Sequence, residues 1–240
     1  MVRSTPRRHR LVAAFALLTP VVLTACEPSP RAVPDIGQKA TERVVAGSLH
    51  GRSGAYLTVG DAASRVDVRL AVLPGLLYRI STPADSGLAP RVTAAGGRVW
   101  LRLRATGDDG PDTVTILLNR AVRWDIRLPA GAGEQRLDLS AGSVARLDLG
   151  SAGLLAVDLP RPLGTVPVTL RGGAGSVSVS APAGVPVRVR LLGGAGSVDT
   201  PWVRNNGVLS GAVLADPRWP AVTDRYALSA RESVGNLTVR

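Results

Sequence analysis

The sequence is short of the side chains on which most enzyme chemistry depends. Its 240 residues include a single cysteine, Cys26, and two histidines, His9 and His50. One cysteine excludes a disulfide within the chain. His9 lies in a segment interpreted below as cleaved, so no histidine pair is left for a metal, and His50 is best explained as a lone loop residue rather than part of a Ser-His-Asp set. We therefore predict no enzymatic activity, no catalytic or metal-binding residue and no cofactor.

Lysine is also nearly absent. Lys39 is the only lysine, so arginine carries almost all of the net charge of +11. Arg3, Arg7, Arg8 and Arg10 lie in the segment expected to be removed, which leaves 11 − 4 = +7. Such a charge outside the cell suits anionic lipid headgroups or wall polymers. No nucleic-acid-binding motif is present, and the arginines are scattered, so nucleic acid is not an expected partner.

Aromatic side chains make up 3% of the sequence. Apart from Phe15 in the N-terminal segment, they are three tyrosines and Trp100, Trp124, Trp202 and Trp219. Most of these tryptophans alternate with charged residues as core-facing positions do. An exposed aromatic platform for sugars is therefore not expected.

The first 26 residues have the pattern of an export signal. Four arginines precede an uncharged stretch from Leu11 to Leu23, which as a helix would span about 20 Å, less than a bilayer core of about 30 Å. We interpret residues 1–25 as a signal peptide, with Sec or twin-arginine export (Arg7-Arg8) left open. Leu23-Thr24-Ala25-Cys26 resembles the lipobox of bacterial lipoproteins. The resemblance implies that Cys26 is the lipid (palmitate-type) attachment site and that the protein is anchored on the extracytoplasmic face of the cell membrane.

Two less regular segments follow. Residues 26–43 contain three prolines and no apolar periodicity, which predicts a flexible tether. Residues 44–123 predict an irregular β region with strands at Ala55–Val59, Val66–Leu70, Leu76–Ile80, Arg98–Leu103 and Thr113–Leu118. The acidic run from Gly107 to Asp112 lacks EF-hand ligand spacing, so we interpret it as a turn rather than a calcium site.

Residues 124–240 are repetitive. Gly172–Val177 (GGAGSV) recurs unchanged as Gly193–Val198, 21 residues later, and short alternating apolar segments recur about every ten residues. The spacing is compatible with a β-sandwich. A single-domain, all-β solenoid, right-handed and β-helix-like with about 21 residues per coil, is favoured because identical corners would then stack on one another. The glycines would adopt positive φ or allow close approach of coils; they match no phosphate-binding motif.

Four aspartates alternate with the apolar residues of this region: Asp125, Asp138, Asp148 and Asp158. If successive strands alternate between two sheets, Asp138 and Asp158 share one sheet and Asp148 lies on the other, so no catalytic carboxylate cluster forms. Arg127, Arg136 and Arg146 are near enough to pair with them at the surface. Residues 216–219 are expected to form a turn whose large apolar side chain, Trp219, caps the open end of the core. The last two strands are predicted at residues 226–230 and at Val234–Val239.

The start at Trp124, the repeated Gly-Ala-Gly-Ser-Val corners and the closing Val-Gly-Asn-Leu-Thr-Val segment resemble bacterial "putative adhesin" or toast-rack-like extracytoplasmic domains. The resemblance covers residues 124–240 and implies a β-solenoid on the outside of the cell that makes protein or envelope contacts. It assigns no site residues.

From these features we expect a membrane-anchored lipoprotein acting as a non-enzymatic scaffold or interaction module. Its partners would be the membrane, through the anchor, and another envelope protein or an anionic wall polymer. The alternative is an envelope carbohydrate- or lipid-binding lipoprotein, and lipid binding would require an apolar cavity along the coil axis.

Overall fold

Nineteen β-strands and one short 3₁₀ helix form residues 41–240, the part of the chain that this computed structural model describes. The strands are β1 (Glu42–Ser48), β2 (Gly54–Val59), β3 (Ala63–Ala71), β4 (Leu76–Pro83), β5 (Leu88–Ala95), β6 (Arg98–Ala105), β7 (Thr113–Asn119), β8 (Arg123–Leu128), β9 (Ala132–Asp138), β10 (Ser143–Leu149), β11 (Ala152–Asp158), β12 (Thr165–Leu170), β13 (Ala174–Ser180), β14 (Val187–Leu191), β15 (Ala195–Asp199), β16 (Arg204–Val208), β17 (Ala212–Ala215), β18 (Arg225–Ala230) and β19 (Val234–Val239). The 3₁₀ helix is Trp219–Ala221. Residues 41–240 contain no helix long and apolar enough to cross a membrane.

The strands form two large mixed sheets. The ten-stranded sheet has the order β1-β4-β7-β3-β9-β11-β13-β19-β15-β16, and the nine-stranded sheet has the order β17-β14-β18-β12-β10-β8-β2-β6-β5. From β8 to β15, successive strands alternate between the sheets, and β8 to β13 are parallel to both of their neighbours. This is the solenoid predicted from the sequence rather than the antiparallel sandwich.

The register gives the length of a coil. Leu147 of β10 pairs with Ile126 of β8 in the preceding coil. On the other sheet, Val157 of β11 pairs with Leu137 of β9 on one side and with Val179 of β13 on the other. The sequence separation between paired residues is therefore the same as that between Gly172 and Gly193, to within one position. The coil length predicted from the repeat is therefore confirmed.

One apolar core lies between the sheets. On the nine-stranded sheet, equivalent inward positions of consecutive strands are apolar and buried: Leu57, Ile126, Leu147, Val168, Leu228 and Val189. Because side chains alternate along a strand, each inward column fixes an outward column on the opposite face of the sheet. The outward columns are where ligands and partners have access.

The repeated glycines allow close contact between coils. A Cβ added at Gly175 would lie 2.7 Å from the carbonyl oxygen of Gly153 in the adjacent coil, and one at Gly153 would lie 2.9 Å from that of Gly133. Gly194 has a positive φ (77°), whereas Gly173, its counterpart in the first copy, does not. Of the two roles predicted for these glycines, close approach of adjacent coils is therefore the more general.

The two hexapeptide copies do not stack directly, which corrects the expectation from the sequence. Val234 of β19 pairs with Ala174 on one side and with Ala195 on the other. The coil of β18 and β19 is inserted between the coil of β12 and β13 and that of β14 and β15. The equal spacing survives because every coil has nearly the same length.

The last two predicted strands are present as β18 and β19, but they do not lie at an end of the stack. β18 and β19 lie inside the sheets, and antiparallel edge strands end the parallel stack instead: β16 and β17 at one end, β1, β4 and β5 at the other. Trp219 is buried, and the guanidinium carbons of Arg188 and Arg225 lie 4.6 and 4.4 Å from its ring centroid.

Residues 41–123 belong to the same two sheets. All five strands predicted there are present, and β2 and β3 pair directly with β8 and β9. β1 and β5 were not predicted. β1 shortens the predicted tether, because Glu42 pairs with Pro83 and the Arg43 guanidinium donates to the carbonyl oxygen of Ser86 at 2.8 Å.

Candidate functional site: the arginine–tryptophan surface

The outward face of the nine-stranded sheet carries a run of arginines around one exposed tryptophan. On β6, Val99, Leu101 and Leu103 point into the core, so the alternating residues between them point outward. We call the arginine–tryptophan surface the set of outward residues on β6 and its two neighbours: Arg98, Trp100, Arg102 and Arg104 on β6, Tyr56 and Thr58 on β2, and Arg91 and Thr93 on β5.

The pairing register brings these side chains together. Arg98 lies beside Tyr56, and Trp100 lies between Thr58 and Thr93. The Arg98 guanidinium carbon is 6.0 Å from the Tyr56 ring centroid, the outer limit of a cation–π contact. Arg102 lies directly opposite Arg91 on the edge strand, so two like charges are adjacent there.

A shallow depression of about 320 Å³ lies at the end of this surface where β6 begins. Its lining comes from three adjacent strands: Tyr56, Thr58, Arg98, Val99, Trp100 and Arg127. Tyr56 is 48% exposed and Trp100 is 52% exposed, so both rings present flat apolar area to solvent. The depression thus combines aromatic rings, guanidinium groups and a hydroxyl.

Positive charge exceeds negative charge on the arginine–tryptophan surface. Its neighbouring carboxylate, Asp61, accepts hydrogen bonds from the Arg102 side chain at 2.7 Å and from the Leu103 N–H at 2.8 Å. These bonds lower the pKa of the Asp61 carboxyl, so it is ionised at neutral pH. Within residues 41–240, Arg91, Arg98 and Arg104 have no carboxylate within 4.0 Å.

The same face continues along the sheet as a row of ion pairs. Asp125 accepts two hydrogen bonds from Arg127, at 2.9 and 3.1 Å, and Asp148 accepts two from Arg171. Arg146 is 4.0 Å from Asp125. Both aspartates are largely buried beneath their arginine partners. Three arginines face two carboxylates here, so the excess of positive charge is smaller than on the arginine–tryptophan surface.

The exposure of Trp100 corrects the expectation that no aromatic platform exists. Trp124 and Trp219 are buried and Trp202 is half-buried, as core-facing residues would be. Trp100 has the opposite phase, because Val99 and Leu101 beside it take the core positions. The sequence contained this information, because three apolar residues at alternate positions define the core-facing side of the strand and leave Trp100, between arginines, on the outward side.

The predicted aspartates lie as their alternation implied. Asp138 pairs in register with Asp158 on the ten-stranded sheet, and Asp148 lies on the nine-stranded sheet. Arg127 pairs with Asp125 as expected, whereas Arg136 binds Glu134 at 2.5 Å rather than an aspartate. Asp148 is paired with Arg171, which sequence reasoning missed because Arg171 comes from the next coil.

Two other features singled out in the sequence lie in loops and turns of the described residues. The acidic run after Gly107 is the loop between β6 and β7, in which Asp108 pairs with Arg43 at 2.5 Å. His50 lies in the turn after β1 at φ 47°. Residues 41–240 contain no group of three or more His, Cys, Asp or Glu placed to hold a metal ion. Cys26, the predicted lipid attachment site, lies outside the described residues.

The core between the sheets is filled. The enclosed apolar cavity among Leu149, Leu155, Val177 and Leu237 has a volume of about 10 Å³. That is no more than the space of one water molecule, so this cavity has no room for an acyl chain.

Comparison with known proteins supports the fold. No protein-family model matches the chain, and no curated protein matches its sequence. A crystal structure of a "putative cell adhesion protein" from Clostridium sporogenes superimposes with a TM-score of 0.64 at 16% identity, over 83% of this chain and 99% of that one. A "putative adhesin" from Bacteroides fragilis aligns over 82% of this chain and 97% of that one at 8% identity, with a TM-score of 0.23 that is too low to support an argument. The clostridial protein thus shares the architecture of this chain.

Proposed function

We propose that the protein is a lipid-anchored, extracytoplasmic interaction module that acts by binding a component of the cell envelope rather than by catalysis. The observation that carries this proposal is the arginine–tryptophan surface, which combines exposed rings and unpaired guanidinium groups on a scaffold with a filled core. Aromatic and arginine side chains are the ones enriched at binding hot spots. The clostridial neighbour, described as a "putative cell adhesion protein", is consistent with such a role.

Anchoring supplies the location in this proposal. The lipobox-like Leu23-Thr24-Ala25-Cys26 segment follows an uncharged stretch too short to span a bilayer. Two acyl chains on Cys26 would hold the protein stably at the membrane.

Between the two ligand classes of the alternative proposal, the structure favours carbohydrate over lipid. Trp100 and Tyr56 offer flat rings to solvent, whereas the enclosed core cavity is too small for an acyl chain. Carbohydrate binding is therefore the form of the alternative that has support.

The anchor is tested by replacing the proposed attachment residue. Cys26→Ala should abolish labelling by a palmitate analogue and leave unlipidated precursor, while the conservative Thr24→Ser should keep both labelling and membrane fractionation. If Cys26→Ala remains labelled, the anchor is located elsewhere or absent. If the wild-type chain is recovered in the cytoplasm, the extracytoplasmic proposal is wrong.

A further inference from the structure

We infer that the arginine–tryptophan surface binds an extended acidic polysaccharide, a polymer of sugar rings that carry carboxylate or phosphodiester groups. This inference rests on the proposed extracytoplasmic location, and it names the class of partner that the interaction module takes.

The spacing of the charges fits a polymer. Outward residues of a strand are two residues apart, or about 6.8 Å, so Arg98 and Arg104 place unpaired guanidinium groups along β6. Arg102, whose Nε donates to Asp61, lies between them. Arg91 widens the positive strip on the edge strand β5. Guanidinium groups bind carboxylate and phosphate with two parallel hydrogen bonds. A strip of this kind favours a ligand with repeated negative charges over a single small anion.

The rings indicate what carries those charges. Trp100 interrupts the arginines on β6, and Tyr56 lies on the adjacent strand, both about half exposed. A flat indole or phenol ring offers an apolar face together with a polar edge, which matches a sugar ring with its C–H face and hydroxyl rim. Thr58 and Thr93 flank Trp100 and can donate to or accept from hydroxyl groups.

Location separates this ligand from nucleic acid, because the proposed export of the protein places it away from most nucleic acid. Asp61 and Asp125 lie beside the arginine–tryptophan surface, but they are hydrogen-bonded to Arg102 and Arg127. Their repulsion acts on any polyanion and does not favour one class over the other.

The site lies on the outward side of the sheet and is open to a chain. β5 is the last strand of the sheet, and nothing in residues 41–240 pairs with its free edge. The depression is shallow rather than a closed pocket, and its walls are the side chains of parallel neighbours. A polymer can therefore extend from the depression along β6 toward Arg102 and Arg104.

The test is calorimetric titration of the full chain, purified in detergent micelles, with four polymers. Polygalacturonate and a phosphodiester-linked hexose polymer supply rings with charge and distinguish the two sources of charge. Neutral maltooligosaccharides supply rings alone, and polyglutamate supplies charge alone. We expect binding to at least one of the first two, weakening as salt rises, and binding at least about tenfold weaker to the other two, equivalent to about 1.4 kcal/mol.

Single substitutions locate the site. Trp100→Ala and Arg98→Gln should each weaken binding about tenfold, the loss typical of an interface hot spot. Two controls should stay within about twofold: Arg190→Gln, an outward arginine at the other end of the same sheet, and Leu154→Ala, an exposed apolar residue on the other sheet. Circular dichroism confirms that each variant is folded.

Each outcome decides the inference. Polyglutamate binding as tightly as the acidic glycans would show a charge patch without ring recognition. Tighter binding of a single-stranded oligonucleotide would make this a nucleic-acid surface. No binding of either acidic glycan, or equal losses in site and control variants, would overturn the inference. Cys26→Ala should bind the glycan normally, so failure of the anchor and failure of glycan binding are distinguishable.

Discussion

Trp124 and Trp100 lie on the two faces of one sheet and have opposite roles. Trp124 on β8 points inward, is fully buried, and donates its indole N–H to the carbonyl oxygen of Asn119 at 3.0 Å. Trp100 on β6 points outward among arginines and is 52% exposed. The same side chain therefore supports the core on one face and offers a binding surface on the other. The apolar residues on either side of a tryptophan in its strand decide which face of the sheet the tryptophan points to.

The largest expected effect is the difference in stability between alanine substitutions at the two tryptophans. Trp124→Ala should lower the free energy of unfolding by about 3–5 kcal/mol, since it leaves a cavity and removes the indole hydrogen bond. Trp100→Ala should change it by less than about 1 kcal/mol, because an exposed side chain contributes little packing. Urea denaturation measures both. Comparable losses in the two variants would show that Trp100 supports the core.

A smaller effect should separate two glycines within one corner of the coil. Gly175→Ala places a Cβ 2.7 Å from the backbone oxygen of Gly153, so it should destabilise the protein by about 1–3 kcal/mol. Gly173→Ala meets nothing closer than 3.5 Å and has no positive φ. It should be neutral, or more stable by up to about 1 kcal/mol through the unfolded state. This pair of glycines applies the contrast between a packed and an exposed tryptophan to the backbone: Gly175 packs against the adjacent coil and Gly173 does not.

Equal denaturation midpoints for Gly173→Ala and Gly175→Ala would contradict the close-approach role of the repeat glycines. If Gly173→Ala were the more damaging of the two, the corner conformation rather than coil spacing would be the reason that glycine recurs.

Much of the fold could be predicted because it depends on local patterns. Alternation at positions such as Val185, Val187 and Val189 predicts strands, and the recurrence of Gly172–Val177 at Gly193–Val198 predicts the coil length. The order of the coils could not be predicted from length alone. Backbone pairing is independent of sequence, and every coil presents the same apolar columns, so a coil can stack beside any other.

One signal for the inserted coil was present. Val234-Gly235 occupies the frame of Ala174-Gly175 and Ala195-Gly196, with Leu237 and Val239 following like Val177 and Val179. This shared frame marks the C-terminal segment as another coil of the stack. Predicting the Arg171–Asp148 ion pair also requires knowing which coils are neighbours, because the two residues come from neighbouring coils.

The arginine–tryptophan surface was not predicted because the alternation around Trp100 was assigned to the wrong face of the strand. Alternation of tryptophan with charge was interpreted as core-facing, yet alternating residues share a face only with residues two positions away. Trp100 therefore shares a face with Arg98 and Arg102, not with Val99 and Leu101. Applied to each strand separately, that rule identifies an exposed aromatic residue from sequence.

The most direct test of the arginine–tryptophan surface is the indole N–H spectrum of the ¹⁵N-labelled full chain during titration with polygalacturonate. The sequence contains four tryptophans, so four indole signals are expected, and Trp100→Phe assigns the one from Trp100. The account predicts that the Trp100 signal shifts progressively while those of Trp124 and Trp219 stay in place. A Trp100 signal that remains unchanged at saturating polymer, or shifts confined to Trp202 or Trp219, would contradict it.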